Sequence, residues 1–556
     1  MTLRANNDIK AVLPPGPALK SLAEKGIFLQ TPCGGLGKCL KCKVYVEEGD
    51  CFLPDEDEKM HLGPVEAAAG LRLACRLNPR GACRLRIPES SLIDDFETDI
   101  ISFGGKIADP DTCGLAIDLG TTRITMLSVR LSDGKETALS TAANPQAYYG
   151  ADTLTRLKAA LDGNARGLKE SVIQRINHMI TGICRSQQTT PERIRTVCLV
   201  GNTAMTHLLL EMDVSGLTRA PYVPFSIAAK CLRAAEAGLF CHPEAQLFIP
   251  AGIGGFVGSD HVAFIRALSS RKYPKPFLAL DIGTNTEMVF SGPEGDALSS
   301  LSVPSGPAFE GGHVSCGRNA GKKVVNAVRL GNDGFDLFTA EGGAPLGLCG
   351  SALIQVLAEA YRGRIIDRRG KIDPSSPFAE SCGREPAVSL WPGRYAEGMP
   401  PLILTQSDID ALLMAKAAVR VGIDTLLHRH RADPRDVETV ILSGAFGSKL
   451  DIGAAFTIGL FPAFSPDSFE FLENAAAYGA AEILLEHQSC SLGDEMDMTR
   501  KSVSHVNLAG TAGFKQRFAR SFYFPELRES GQQVRGNGKS QSSGQTGPLF
   551  GNVNKK

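Results

Sequence analysis

Two stretches of the chain repeat one pattern: LAIDLGTTRITMLSV at 115–129 and LALDIGTNTEMVF at 278–290, with Asp118 and Asp281 offset by 163 residues. In each, an apolar run delivers an aspartate, a Gly-Thr turn follows, and a second apolar run leads away. A strand–turn–strand unit used twice predicts a large region built as two similar halves. Apolar runs such as RTVCLVGN and TVILSGAFG alternate with the helical patterns DTLTRLKAALDG and QSDIDALLMAKAAVRVGIDTLL, which is the signature of an α/β domain. Ser407 with Asp410 predicts the opening of the last of these helices.

The turns have a chemical purpose. Glycine lets backbone approach an anion closely, adjacent N–H groups point into the turn, and threonine hydroxyls add donors, so phosphate oxygens can be cradled without a lysine. An aspartate at each strand end can hold Mg²⁺ through its water shell. A single D-x-G-T-T is equally well read as a buried strand ending in an ordinary hairpin; its repetition favours a clamp for a polyphosphate. SGAFGSKLD at 443–451 supplies small residues against which a base or ribose could lie, or else a plain strand-to-helix turn. No Walker loop competes, because GRNAGKK at 317–323 has the wrong glycine spacing and ends in lysine.

Six of the 15 cysteines (Cys33, Cys39, Cys42, Cys51, Cys75 and Cys83) fall in the first 90 residues. TPCGGLGKCLKCKVYV holds three of them in a glycine-rich loop that runs into an alternating strand. Zinc would more often use two C-x-x-C knuckles, and only Cys39 and Cys42 form one. A disulfide set is disfavoured in a reducing compartment. The spacing C-x5-C-x2-C with a distant cysteine lies one residue from the plant-type [2Fe–2S] pattern C-x4-C-x2-C. Gly34, Gly35 and Gly37 would let backbone N–H groups reach the sulfurs. Cys33, Cys39, Cys42 and Cys75 are therefore the expected metal ligands, with Cys51 and Cys83 as alternatives for the fourth.

Composition bounds the rest. A formal net charge of −1 gives no basic surface for nucleic acid or anionic lipid. No signal-peptide pattern and no apolar run of membrane-spanning length is visible, so a cytoplasmic protein is expected. The expected division is an iron–sulfur domain at 1–88, a linker at 89–112, two α/β halves at 113–276 and 277–525, and a polar, disordered tail at 526–556.

In this order the two phosphate loops and SGAFG resemble the actin, sugar-kinase and heat-shock-ATPase superfamily. Fused to a ferredoxin-like module, they resemble the reductive activators of corrinoid proteins and corrinoid-dependent methyltransferases. The likeness extends through VGNTAMTHLLLEMD (200–213), AGIGGFVGSD (251–260), PSGPAFEGGHVSCG (304–317) and PLGLCGSALI (345–354). The resemblance implies a multidomain α+β and α/β chain: a β-grasp ferredoxin-like domain, then duplicated ribonuclease-H-like (actin-like) ATPase halves. It implies a [2Fe–2S] cluster, ATP and Mg²⁺ as cofactors. It further implies one-electron reduction of Co(II) to Co(I) in a corrinoid partner, fed by a low-potential donor of ferredoxin or flavodoxin type, with a homodimer compatible.

Carried over by position, Asp118, Gly120, Thr121 and Thr122 would serve the first phosphate loop, and Asp281, Gly283, Thr284 and Asn285 the second. Gly444 and Gly447 would line the adenosine site. Glu310 would position water or join the magnesium shell, or simply cap a glycine turn; Asn202 and Thr203 would approach phosphate, or form a plain turn. His207 and His313 belong to no paired cluster and are expected to be structural. Two other functions fit the ATPase alone: a chaperone-like reactivase of a cobalamin enzyme that moves no electrons, and a small-molecule kinase. The cysteine loop argues against both.

Overall fold

The computed structural model describes residues 3–527 apart from short stretches, among them 63–68, 93–98, 104–111, 394–400 and 490–502. The polar tail from 528 onward, Cys490 and Gly447 lie outside the described residues.

At the N-terminus, alternating runs form a five-stranded antiparallel sheet in the order Leu3–Ala5, Asp8–Leu13, Cys83–Ile87, Lys43–Glu48, Leu71–Leu73. Its inner face and the helix Ala18–Glu24 bury Leu13, Leu22, Leu29, Val44, Leu73 and Leu85 in a small core of their own. Each such side chain contributes about 1.5–3 kcal/mol when fully buried, which supports the cysteine loop from below.

The echo in the sequence is an echo in space. Cys113–Leu119 and Arg123–Arg130 form one antiparallel hairpin, Phe277–Ile282 and Thr286–Ser291 the other. A third strand extends each hairpin antiparallel (Glu136–Ala143; Leu298–Val303). On the other side each first strand gains a parallel neighbour (Ile194–Gly201; Thr439–Ser443) and then another (Gln246–Ile249; Phe469–Leu472). The two sheets therefore share the order third, second, first, fourth, fifth. Their central strands are apolar almost throughout because helices cover both faces.

The halves meet along two helices, Ser259–Arg271 and Ala475–Ser489. Gly479 makes the approach possible: a Cβ there would sit 1.8 Å from the Ala263 carbonyl oxygen. Arg266 reaches across to Glu486, and the Ser270 hydroxyl donates to Glu482 over 2.8 Å.

Two local expectations shift. Within the stretch read as linker, Asp99–Ser102 adds to the first sheet as an edge strand against Glu136–Ala143, and Leu92 bridges to Leu29 of the N-terminal domain. The helix Gln406–His430 is opened by Thr405 with Asp408, not by Ser407 with Asp410. Strand Leu402–Thr405 runs straight into the helix, so its last residue is already the cap. Ser407 instead donates to Glu385 and Asp410 pairs with Lys371.

Candidate functional site

Because both hairpins end at the same edge of their sheets, the two Gly-Thr turns face each other across a cavity of about 140 Å³. Asp118, Gly120, Thr121, Thr122, Asn202, Asp281, Gly283, Thr284, Asn285, Glu310 and Gly444 line it. Asn202 follows the fourth strand of the first half just as Gly444 follows that of the second, and its amide donates to the Thr121 hydroxyl over 3.0 Å. Thr203 is not among the lining residues: it starts a short helix and donates to the Gly254 carbonyl. Gly444 has φ +85°, and a Cβ there would lie 2.5 Å from the Ile282 carbonyl oxygen and 2.8 Å from the Asp281 carboxylate, so this position requires glycine.

The cavity also gathers carboxylates that sequence reasoning missed. Asp260 opens the helix Ser259–Arg271, and Glu287 sits on the second strand of the second hairpin; both line it with Asp118 and Asp281. Burial raises all four, and repulsion from neighbouring carboxylates adds to it: from Asp281 on Asp118, Asp260 and Glu287, and from Glu310 on Asp281 itself. Asp281 is pushed up to about 6 and Asp260 to about 7, while Asp118 and Glu287 lie well above the ordinary carboxylate range. Such a group of acids, held near the Gly-Thr turns, could take a hydrated divalent cation, whose charge would offset the repulsion. The signal for Asp260 was the string GGFVGSD. Gly258 packs so closely that a Cβ would lie 2.1 Å from the Gly201 carbonyl oxygen, which places this helix start beside the fourth strand of the first half.

Glu310 ends a 3₁₀ turn, Pro307–Glu310, and does more than cap it. One carboxylate oxygen accepts from the Thr122 hydroxyl at 2.8 Å and from the Thr284 hydroxyl at 2.6 Å, so it joins the two Gly-Thr turns. His207 and His313 take no part: His207 is buried against the Thr203 carbonyl, and His313 faces Asp152 at 3.8 Å.

In the cysteine loop the four expected thiols come together as two pairs. Cys39 is hydrogen-bonded to Cys33, and Cys42 to Cys75. Among the described residues no three His, Cys, Asp or Glu side chains converge on one metal position. Two thiol pairs suit a cluster of two irons with two thiolates each. The N–H of Gly37 points at Cys75, whose thiol is lowered chiefly by its bond from Cys42, and the N–H of Lys41 points at Cys39. Gly34, Gly35 and Gly37 all have positive φ (64°, 84° and 77°), which glycine supplies at little cost. Cys51 and Cys83 face each other with sulfurs 3.3 Å apart and are paired with each other, not with the loop.

Three family models match successive parts of the chain. The 2Fe-2S iron-sulfur cluster binding domain family matches residues 6–80, the RACo middle region 113–272, and the C-terminal domain of RACo, the ASKHA domain, 275–534. The corrinoid activation enzyme RamQ of Eubacterium limosum is 26% identical over 90% of this chain and 95% of that protein. The [Co(II) methylated amine-specific corrinoid protein] reductase of Methanosarcina barkeri is 22% identical over 74% of this chain and 76% of its own length. A solved structure of a reductive activator for corrinoid, iron-sulfur protein superposes with a TM-score of 0.65 at 25% identity, covering 92% of this chain and 96% of that one. With its iron–sulfur, middle and ASKHA domains in this order, the chain belongs to the family of reductive activators of corrinoid proteins.

Proposed function

We propose that this chain is an ATP-dependent iron–sulfur oxidoreductase that returns the cobalt of a corrinoid protein from Co(II) to Co(I), one electron at a time. The observation that carries this reading is the presence, in one chain, of two thiol pairs in a glycine loop and two phosphate loops facing across a cavity. Cys33 and Cys39 would hold one iron of a [2Fe–2S] cluster, Cys42 and Cys75 the other. Bound there, the cluster would supply a one-electron carrier, and the donors from Gly37 and Lys41 would stabilise negative charge on the sulfurs.

In the cleft, Gly120, Thr121 and Thr122 would take phosphate oxygens from one side and Gly283, Thr284 and Asn285 from the other. Asp118 and Asp281, joined by Asp260, would hold Mg²⁺ through water. Gly444 would leave room for the nucleoside. Glu310, bridging Thr122 and Thr284, would face the terminal phosphate and position the attacking water once its threonine partners turn to phosphate. The nucleotide answers an energetic need: an uphill one-electron step costs about 2.3 kcal/mol per 100 mV, a deficit that closure of the two halves could offset through differential binding.

A cytoplasmic setting, a low-potential donor of ferredoxin or flavodoxin type and a homodimer accord with this reading; among the described residues no helix is long and apolar enough to cross a membrane. The thiol pairs weigh against a reactivase that moves no electrons. The test is anaerobic mixing of the reconstituted chain with a Co(II) corrinoid protein, a low-potential reductant and ATP, followed by Co(I) absorbance. Reduction no faster with ATP than without it sinks the proposal.

A further inference from the structure

Lys41 stands between two of the thiols, Cys39 and Cys42, yet its side chain leaves the iron–sulfur domain altogether. It is 7% exposed and its ammonium donates to the carbonyls of Gly311, at 3.4 Å, and Gly317, both in the ATPase. Those two carbonyls are side by side because the glycines touch: a Cβ on Gly317 would lie 2.5 Å from the Gly311 oxygen. Gly311 is the residue after Glu310, the group that ties Thr122 to Thr284. A second line runs in parallel. The Thr31 hydroxyl donates to the Tyr148 carbonyl over 2.8 Å, and Tyr148 ends the turn begun at Asn144, whose amide donates to the Gly120 carbonyl over 2.8 Å. Between the lines is a cavity of about 90 Å³, walled by Thr31 and Lys41 on one side and by Thr122 and Glu310 on the other.

We propose that Lys41, through Gly311 and Glu310, is the positioning residue that couples occupancy of the nucleotide cleft to the thiol loop. The inference rests on the function proposed above and adds how its two sites communicate. A terminal phosphate settling between the phosphate loops takes the Thr122 and Thr284 hydroxyls and repels the Glu310 carboxylate. Glu310 is covalently joined to the carbonyl that Lys41 holds, so its departure shifts one of the lysine's two acceptors. Lys41 is bonded directly to Cys42 and stands one residue, Leu40, from Cys39, so the loop that would carry the cluster feels the change. The two states are defined by which partner the threonines hold, which is the differential interaction any such coupling requires.

Coupling must be reciprocal: if nucleotide binds one redox state tenfold more tightly than the other, the cluster potential moves by about 59 mV for one electron. Redox titration of the reconstituted full chain, with and without a non-hydrolysable ATP analogue and Mg²⁺, should show such a shift. In Lys41→Met the shift should vanish while analogue affinity stays within about threefold; Lys41→Arg, which keeps the donors, should restore it. Hydrogen exchange of the wild-type chain gives a reading free of any folding defect: analogue binding should change exchange in residues 31–43, of which no described residue lines the nucleotide cavity. An unchanged shift in Lys41→Met, or no shift and no exchange response in the cluster-loaded wild type, overturns the coupling. A wild type that binds analogue but takes up no cluster overturns the proposed function as well.

Discussion

Asp281→Asn should stabilise the protein while weakening its hold on nucleotide. Asp281 has a folded-state value of about 6 against an ordinary 3.8, with burial as the main cause and the Glu310 charge as a lesser one. A raised carboxylate contributes stability below pH 3.8 and loses it as pH rises through 6, so at neutral pH the ionised group is a burden on the folded state. Two units correspond to about 3 kcal/mol at 1.36 kcal/mol per unit, an upper bound because the residue is only partly buried and opens to the cleft. Asparagine has the same shape and no charge to desolvate. Thermal unfolding at pH 7.5 should therefore show a higher midpoint for the variant without ligand, and at pH 4 the advantage should shrink. Adding Mg²⁺ and an ATP analogue should reverse the order, because ligand stabilisation follows RT ln(1 + [L]/Kd) and the variant has lost a carboxylate that the cation needs. The same linkage makes the ligand-induced shift of the wild type larger at pH 7.5 than at pH 5.5, where Asp281 and Asp260 are more protonated. A ligand-free variant that melts below the wild type at pH 7.5 refutes the reasoning.

Cys42→Ser should leave analogue binding intact yet abolish the visible absorbance and acid-labile sulfide of the reconstituted chain, since it removes half of one thiol pair. Gly479→Ala forces a methyl group against the Ala263 carbonyl, 1.8 Å from the ideal Cβ; overpacking of this kind costs about 1–3 kcal/mol or more, readable as a lower midpoint in urea or heat. Lys416, buried beneath Phe522 and Tyr523 with its value lowered to about 7 by burial, takes up its proton more readily in the unfolded chain. Its contribution to stability thus rises from pH 7 to about 10.5, and Lys416→Met should flatten that rise in denaturant titrations.

What the sequence displayed was local. The spacing of apolar runs revealed the two hairpins, and repetition of Asp118 and Asp281 revealed that they are equivalent, because strand, turn and strand are contiguous and their period is short. Cysteine spacing gave the thiol loop, and pairing of Cys42 with Cys75 now has a structural reason: Lys43–Glu48 and Leu71–Leu73 are neighbouring strands, and each thiol lies next to one of them. The cap of the long helix was misplaced by two residues because Thr405 serves both strand and helix, an overlap that neither periodicity reveals.

What stayed hidden was non-local. Asp260 and Glu287 look like an ordinary helix start and an ordinary strand position; only the close contact of Gly258 with Gly201 and the facing of two sheets turn them into walls of one cavity. Lys41 reads as one more charged residue in a loop, and nothing in its neighbourhood announces that its partners lie 270 and 276 positions away. Such contacts depend on how domains dock, and docking is decided by surfaces that no short window of sequence contains. In this chain the fusion of the two parts lets one buried ammonium hold the loop bearing the thiols against Gly311, the residue next to Glu310, which bridges the two Gly-Thr turns.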